Sequence, residues 1–213
     1  WKEKSVGREI VLDVNSLYPY CMTKPLPYGF PQLYEGQYEE DVNYPLYIQN
    51  FSCAFEIKDN KIPTIQLKNN MSFIPNEYVK SSNNKIINMT LTKPDFELFM
   101  EHYNISYIKY HKGWKFRSST EYFSKYIGEW IERKIQASKD KNAPLRQIAK
   151  LMLNSLYGRF AISGKAKQKS PYLNDEGILK FILEEEETRE TMYVPAAAFV
   201  TAYGRERTIR TSQ

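Results

Sequence analysis

Only two cysteines and two histidines occur among 213 residues. Cys21 and Cys53 sit in apolar or aromatic surroundings at no metal-ligand spacing, so they read as buried thiols in a reducing compartment rather than as a disulfide. His102 and His111 are too few to complete a Cys/His zinc site. No apolar run approaches the roughly 18 residues that a membrane helix needs, and no membrane partner is expected. Trp1-Lys2-Glu3-Lys4 has no apolar segment behind it, which speaks against a secretory signal. The initiating Met is also missing, so a fragment is expected. What is present is the composition of a globular protein, 42% hydrophobic and 26% charged.

A net charge of +5 hides an asymmetry. Residues 133–169 hold ten Lys and Arg against one acid, Asp140, which makes that stretch +9 and leaves the remainder at −4. A basic block in an otherwise acidic chain is an electrostatic footprint for a polyanion, or else a solvated lysine-rich surface.

The pattern along the chain predicts an α+β fold. Ile10-Val11-Leu12 reads as a buried strand running into Asp13, followed by a helix over 15–22 and a turn rich in proline (Pro25, Pro27, Pro31). Tyr47, Phe51, Cys53, Phe55 and Ile57 alternate on one face of a strand, and 86–91 forms another. Thr92, Pro94 and Asp95 mark a helix start, with Phe96, Phe99, Met100 and Tyr103 facing inward. Residues 106–117 return to strand. A helix over 120–137 carries Phe123, Ile127, Trp130 and Ile131 at helical spacing. Asn142 and Pro144 interrupt it, and a second helix runs to about 161, making an antiparallel pair. A β-hairpin turning at Asn174-Asp175-Glu176-Gly177 follows, and a last helix starts near Pro195.

Two segments carry recognisable chemistry. In Asp13-Val14-Asn15-Ser16-Leu17-Tyr18-Pro19 a carboxylate leaves a hydrophobic strand, where oxygen ligands can hold a hard cation beside a phosphate. Taken alone, such an Asp is more often a helix cap or turn residue. In the second segment Arg146, Lys150, Asn154 and Tyr157 fall within about 80° of one helix face. Ile148, Leu151, Met152 and Leu156 lie opposite and are expected in the core. Cations one turn apart repel, so the stripe calls for an anion, and a triphosphate fits. Lys134, four residues after Trp130, can face the same anion.

The first segment resembles the Asp-x-x-Ser-Leu-Tyr-Pro signature of family B DNA polymerases at every fixed position. Residues 150–158 resemble the second signature, Lys-x-x-x-Asn-Ser-x-Tyr-Gly, equally well. Thr201-Ala202-Tyr203-Gly204-Arg205 resembles the Thr-x-x-Gly-Arg element of the protein-primed branch. Between the signatures, Tyr44-Pro45-Leu46, Ile62-Pro63-Thr64-Ile65-Gln66, Asn76-Glu77-Tyr78 and Glu101-His102-Tyr103 resemble that branch's insertion, which contacts a priming protein and clamps upstream duplex.

The resemblance implies a palm fragment (1–24), an insertion of mixed α/β character (25–118), a two-helix fingers element (119–161) and a return to the palm (162–213). It implies template-directed DNA synthesis from deoxynucleoside triphosphates with two Mg²⁺ ions (or Mn²⁺), on a primer-template begun from a terminal protein. Asp13 is then the catalytic metal ligand, joined by the Val14 carbonyl, and Tyr18 excludes a 2′-hydroxyl. Backbone amides through Ser16, Leu17 and Tyr18 cradle the triphosphate, as turn amides can. Lys134, Arg146 and Lys150 neutralise phosphate, while Asn154 and Tyr157 line the base-pair pocket. Ser155, Gly158, Arg159, Thr201, Gly204 and Arg205 contact DNA. The implied setting is the cytoplasm of a phage-infected bacterium, or a mitochondrial linear plasmid. No Asp-x-Asp occurs, so the third signature is missing and the chain alone is expected not to polymerise. A non-catalytic module that holds DNA or the terminal protein is the alternative.

Overall fold

The computed structural model describes residues 14, 16–67 and 77–213. Asp13, Asn15 and the strand expected over 8–13 lie outside the described residues, as does Asn76.

The scaffold is one antiparallel sheet of β1 (Leu26–Glu35), β2 (Leu46–Ile57), β5 (Ile87–Thr92) and β6 (Tyr103–Ser119), in the order β1-β6-β2-β5. Strand β6 spans 17 residues and pairs with β2 from Leu46↔Phe116 to Ile57↔Tyr103. The alternation read over 47–57 is correct: Phe51, Cys53 and Phe55 are buried. Two short strands, β3 (Gln66–Leu67) and β4 (Glu77–Tyr78), pair separately.

The expected proline-rich turn is instead strand β1. Its Pro27 and Pro31 are tolerated because β1 is an edge strand with β6 as its neighbour. The register slips between Tyr28 and Gln32, where Gly29 takes φ 71°. Across from β1, Gly113 of β6 admits the Tyr34 side chain; a Cβ there would overlap the Tyr34 hydroxyl and the Ile48 carbonyl oxygen. Tyr34 donates to Gln49 Oε1 at 3.0 Å, and buried Gln49 returns its amide to the Gly36 carbonyl at 3.0 Å. A buried amide is thus fully used.

Among the described residues there are five helices, of which α2 (Lys93–His102) and α5 (Val194–Ser212) pack on the sheet. Helix α1 (Leu17–Cys21) is shorter than expected. Helix α2 (Lys93–His102) starts at Thr92 with Pro94 in its first turn. The Thr92 hydroxyl bonds Asp95 Oδ2 at 2.9 Å rather than a backbone amide. Phe99 and Tyr103 are buried as expected, but Met100 is exposed while Leu98 and His102 are buried. Helix α2 touches the sheet on one side and the last helix on another, so two faces are covered instead of one.

Helices α3 (Ser124–Lys139) and α4 (Ala143–Phe160) form the expected hairpin, with the Asn142 side chain capping α4 through Leu145 N at 3.1 Å. Ile131 of α3 faces solvent, contrary to expectation. The face of α4 also differs: Ile148 and Leu151 are exposed, and Ala149, Leu153 and Phe160 are buried. Strands β7 (Lys165–Leu173) and β8 (Leu179–Thr188) form the predicted hairpin, and α5 (Val194–Ser212) closes the chain.

Two hydrophobic clusters share the long strands. One joins Met22, Leu26, Leu46, Phe116, Ile127, Leu153 and Phe199; the other joins Phe51, Phe55, Met89, Phe99 and Tyr103. Strands β2 and β6 contribute to both, so the helical half and the sheet half are built on one backbone frame.

Candidate functional site

A cleft of about 560 Å³ opens where α1, α3, α4 and α5 meet. Val14, Ser16, Leu17 and Tyr18 line one side. Lys134 comes from α3, and Arg146, Lys150, Leu153, Asn154 and Tyr157 come from α4. Thr208 of α5 completes it. Residues from opposite ends of the chain converge because α5 packs against both α1 and α4.

The four-residue polar stripe read from the sequence therefore faces this cleft. Its buried flank is the neighbouring line of Ala149, Leu153 and Phe160, not the far side of the helix. The ring of Tyr157 stacks on Tyr18 with centroids 4.2 Å apart and planes inclined by 22°. Burial, with the hydrogen bond to Tyr18 adding to it, pushes the Tyr157 phenol up to about 12. The stacked rings present apolar surface at one end of the cleft. Toward the other end stand Arg146 and Lys150, one helical turn apart. The Lys134 ammonium reaches across to Ser16 Oγ at 3.0 Å. Three cations and no described acid line the cavity.

The +9 block divides once folded. Lys165, Lys167 and Lys169 lie on β7 opposite the acidic run of β8, with Lys167 paired to Glu186 in register. Lys165 forms a salt bridge to Glu186 at 3.1 Å. The hairpin is thus largely self-neutralising, and the cations left for a polyanion are those around α3 and α4.

The residues assigned to DNA contact separate into three places. Ser155, Gly158 and Arg159 are exposed on α4. Gly204 is buried on α5, where a Cβ would stand 3.8 Å from both Leu17 Cδ2 and Tyr18 Cε1. Thr201 and Arg205 line a second cavity, of about 460 Å³, between α5, α2, β5 and residues 64–66. There Arg205 holds Asp95 through two bonds of 2.9 and 2.6 Å. Thr208 was missed because it lies outside every signature; its position one turn after Gly204 on the same helix was the available signal. Among the described residues no cluster of three or more His, Cys, Asp or Glu could hold a metal. Asp13, to which the metal role was assigned, lies outside them.

A cationic cleft closed at one end by a stacked tyrosine pair has the chemistry to accept a polyphosphate bearing a ring. The comparisons identify its family. The description of organellar and viral type B DNA polymerases matches residues 1–213. The chain is 45% identical over its whole length to the DNA polymerase of Bacillus phage Nf and 44% identical to that of Bacillus phage phi29, covering 37% and 36% of those proteins. The DNA polymerase of Streptococcus phage Cp-1 is 34% identical over 95% of the chain. A structure of phi29 DNA polymerase complexed with primer-template DNA and incoming nucleotide substrates matches 94% of the chain, with a TM-score of 0.84 and 44% identity. The chain covers 34% of that structure. The chain belongs to the type B DNA polymerases of organelles and viruses, and it spans somewhat more than a third of the length of the relatives it matches.

Proposed function

We propose that this chain forms the nucleotide cleft and neighbouring insertion of a protein-primed DNA polymerase that replicates phage DNA inside an infected bacterium. The observation that carries the reading is the convergence of Ser16–Tyr18 with Lys134, Arg146, Lys150, Asn154 and Tyr157 on one cleft. Its volume is within the ~300–1,000 Å³ usual for small-molecule sites.

In this reading the triphosphate lies against Lys134, Arg146 and Lys150. The sugar and base reach the Tyr18–Tyr157 pair, where the Tyr18 ring blocks a 2′-hydroxyl. Phosphoryl transfer asks a protein mainly to position charge and neutralise it, and the three cations do so for the departing pyrophosphate. Asp13 and the Val14 carbonyl would hold Mg²⁺, and Val14 lines the cleft together with the three cations. When bound, the ion supplies charge neutralisation and a more acidic primer hydroxyl. Ser155, Gly158 and Arg159 on the open side of α4 contact the template-primer, and Thr201 and Arg205 extend that contact from α5. Residues 25–118 form the insertion that meets the terminal protein, 119–161 the fingers, and the flanking segments the palm.

The test replaces the matching stretch of phi29 DNA polymerase with this chain and follows primer extension. Activity that is lost on Asp13→Ala supports the reading. Equal extension by the two proteins refutes the metal role.

A further inference from the structure

Ser16 is unusual in two respects. It takes φ 56° and ψ 41°, a left-handed conformation that residues other than glycine and asparagine adopt at a cost. It also precedes α1, where a serine would ordinarily bond the helix amides, yet its side chain makes no capping bond. The hydroxyl instead accepts a hydrogen bond from Lys134 Nζ at 3.0 Å, across 118 residues of sequence. Both residues line the 560 Å³ cleft.

We propose that Ser16 is a positioning residue whose hydroxyl holds the Lys134 ammonium over the cleft, aimed at the phosphates of an incoming nucleotide. This rests on the reading of the cleft as a nucleotide site. A lysine on a surface helix samples many rotamers, and fixing it at the moment of binding costs entropy. An ammonium has three donors, so one can remain on Ser16 while the other two meet phosphate oxygens. The left-handed turn at Ser16 then has a use: the side chain leaves the helix end and reaches α3. A backbone held in a sparsely populated region because a functional contact needs it is a recurring device.

The experiment is calorimetric titration of the chain with deoxyadenosine triphosphate in excess Mg²⁺. Ser16→Gly removes the hydroxyl while suiting the left-handed backbone, so folding should survive, as a thermal melt will show. Affinity should fall by about five- to tenfold, the size of one ordinary hydrogen bond, because the hydroxyl acts on the phosphates only through Lys134. Ser16→Asn also suits that backbone and restores an oxygen acceptor, so it should recover most of the loss. Lys134→Met should weaken binding at least as much, and adding Ser16→Gly to it should cost nothing further.

An unchanged affinity for Ser16→Gly overturns the proposal, as does an equal loss with and without Lys134. If Lys150→Ala weakens binding but Ser16→Gly does not, the nucleotide cleft stands and the positioning role falls. Absence of binding by the unsubstituted chain overturns both.

Discussion

Gly158 shows how a residue's stability role and binding role can be separated. It is exposed near the end of α4, and a Cβ there would meet nothing within 4 Å. Glycine in a helix costs up to ~1 kcal/mol relative to alanine. Nothing in the fold requires the missing side chain, so close approach of another backbone is the remaining use. Gly158→Ala should therefore raise the melting temperature slightly while weakening DNA binding in a fluorescence-anisotropy titration. Equal or tighter DNA binding would remove Gly158 from the interface. The signature singled out Tyr18, and its stack on Tyr157 gives the proposed sugar gate a rigid backing that the sequence did not display. The cysteines were legible too: Cys21 and Cys53 are free and buried, and burial pushes both thiols up to about 11. Neither should react with a disulfide reagent at pH 8 until the chain is unfolded, when both should.

At the scale of elements, sequence periodicity located the described helices and the long strands β2, β5 and β6, but not always the face that each buries. Helix α4 is the instructive case. The polar stripe turns toward the cleft that α4 shares with α1, α3 and α5, where Arg146, Lys150 and Asn154 stay exposed, and Ile148 and Leu151 are left in solvent. Amphipathic patterning assumes that the face turned toward neighbouring elements is apolar, and a polar cleft breaks that assumption. Helix α2 fails differently, because contact with both the sheet and α5 buries Leu98 and His102 beyond the single face expected. Strand β1 was hidden by its prolines, which an edge strand permits. The long strands set the element-scale prediction. Phe116 of β6 is 2% exposed and packs near Phe199 of α5, with ring centroids 6.2 Å apart. Phe116→Ala should cost about 3–5 kcal/mol in a urea titration. Gly113→Ala should also destabilise, through its overlap with Tyr34 and Ile48 rather than through a cavity. A Tyr34→Phe change made with it should relieve little of that loss, since the Tyr34 ring carbon Cζ and the Ile48 carbonyl both remain in the way.

At the scale of the molecule, α5 ties the helical half to the sheet half by ion pairs as well as by its apolar face. Arg205 holds Asp95 near the start of α2, and Arg210 reaches Glu101 near its end at 2.7 Å. Lys61 meets the other Glu101 oxygen at 3.2 Å. The Arg210 and Lys61 hydrogen bonds hold the Glu101 carboxyl below its usual range, and the bond from Lys115 does the same for Asp41. A carboxyl whose folded-state value is depressed stabilises the fold above its unfolded value and loses that contribution as pH falls through the folded one. Melting temperature should therefore be flat near neutrality and drop at and below about pH 4, the unfolded carboxylate range. Glu101→Gln should lower the neutral plateau by a small amount, since a pair this exposed contributes at most ~1 kcal/mol. It should also make the acid limb shallower. Removing one of the groups that must be protonated removes its share of the slope, whereas a purely structural loss would shift the whole curve and leave its shape unchanged.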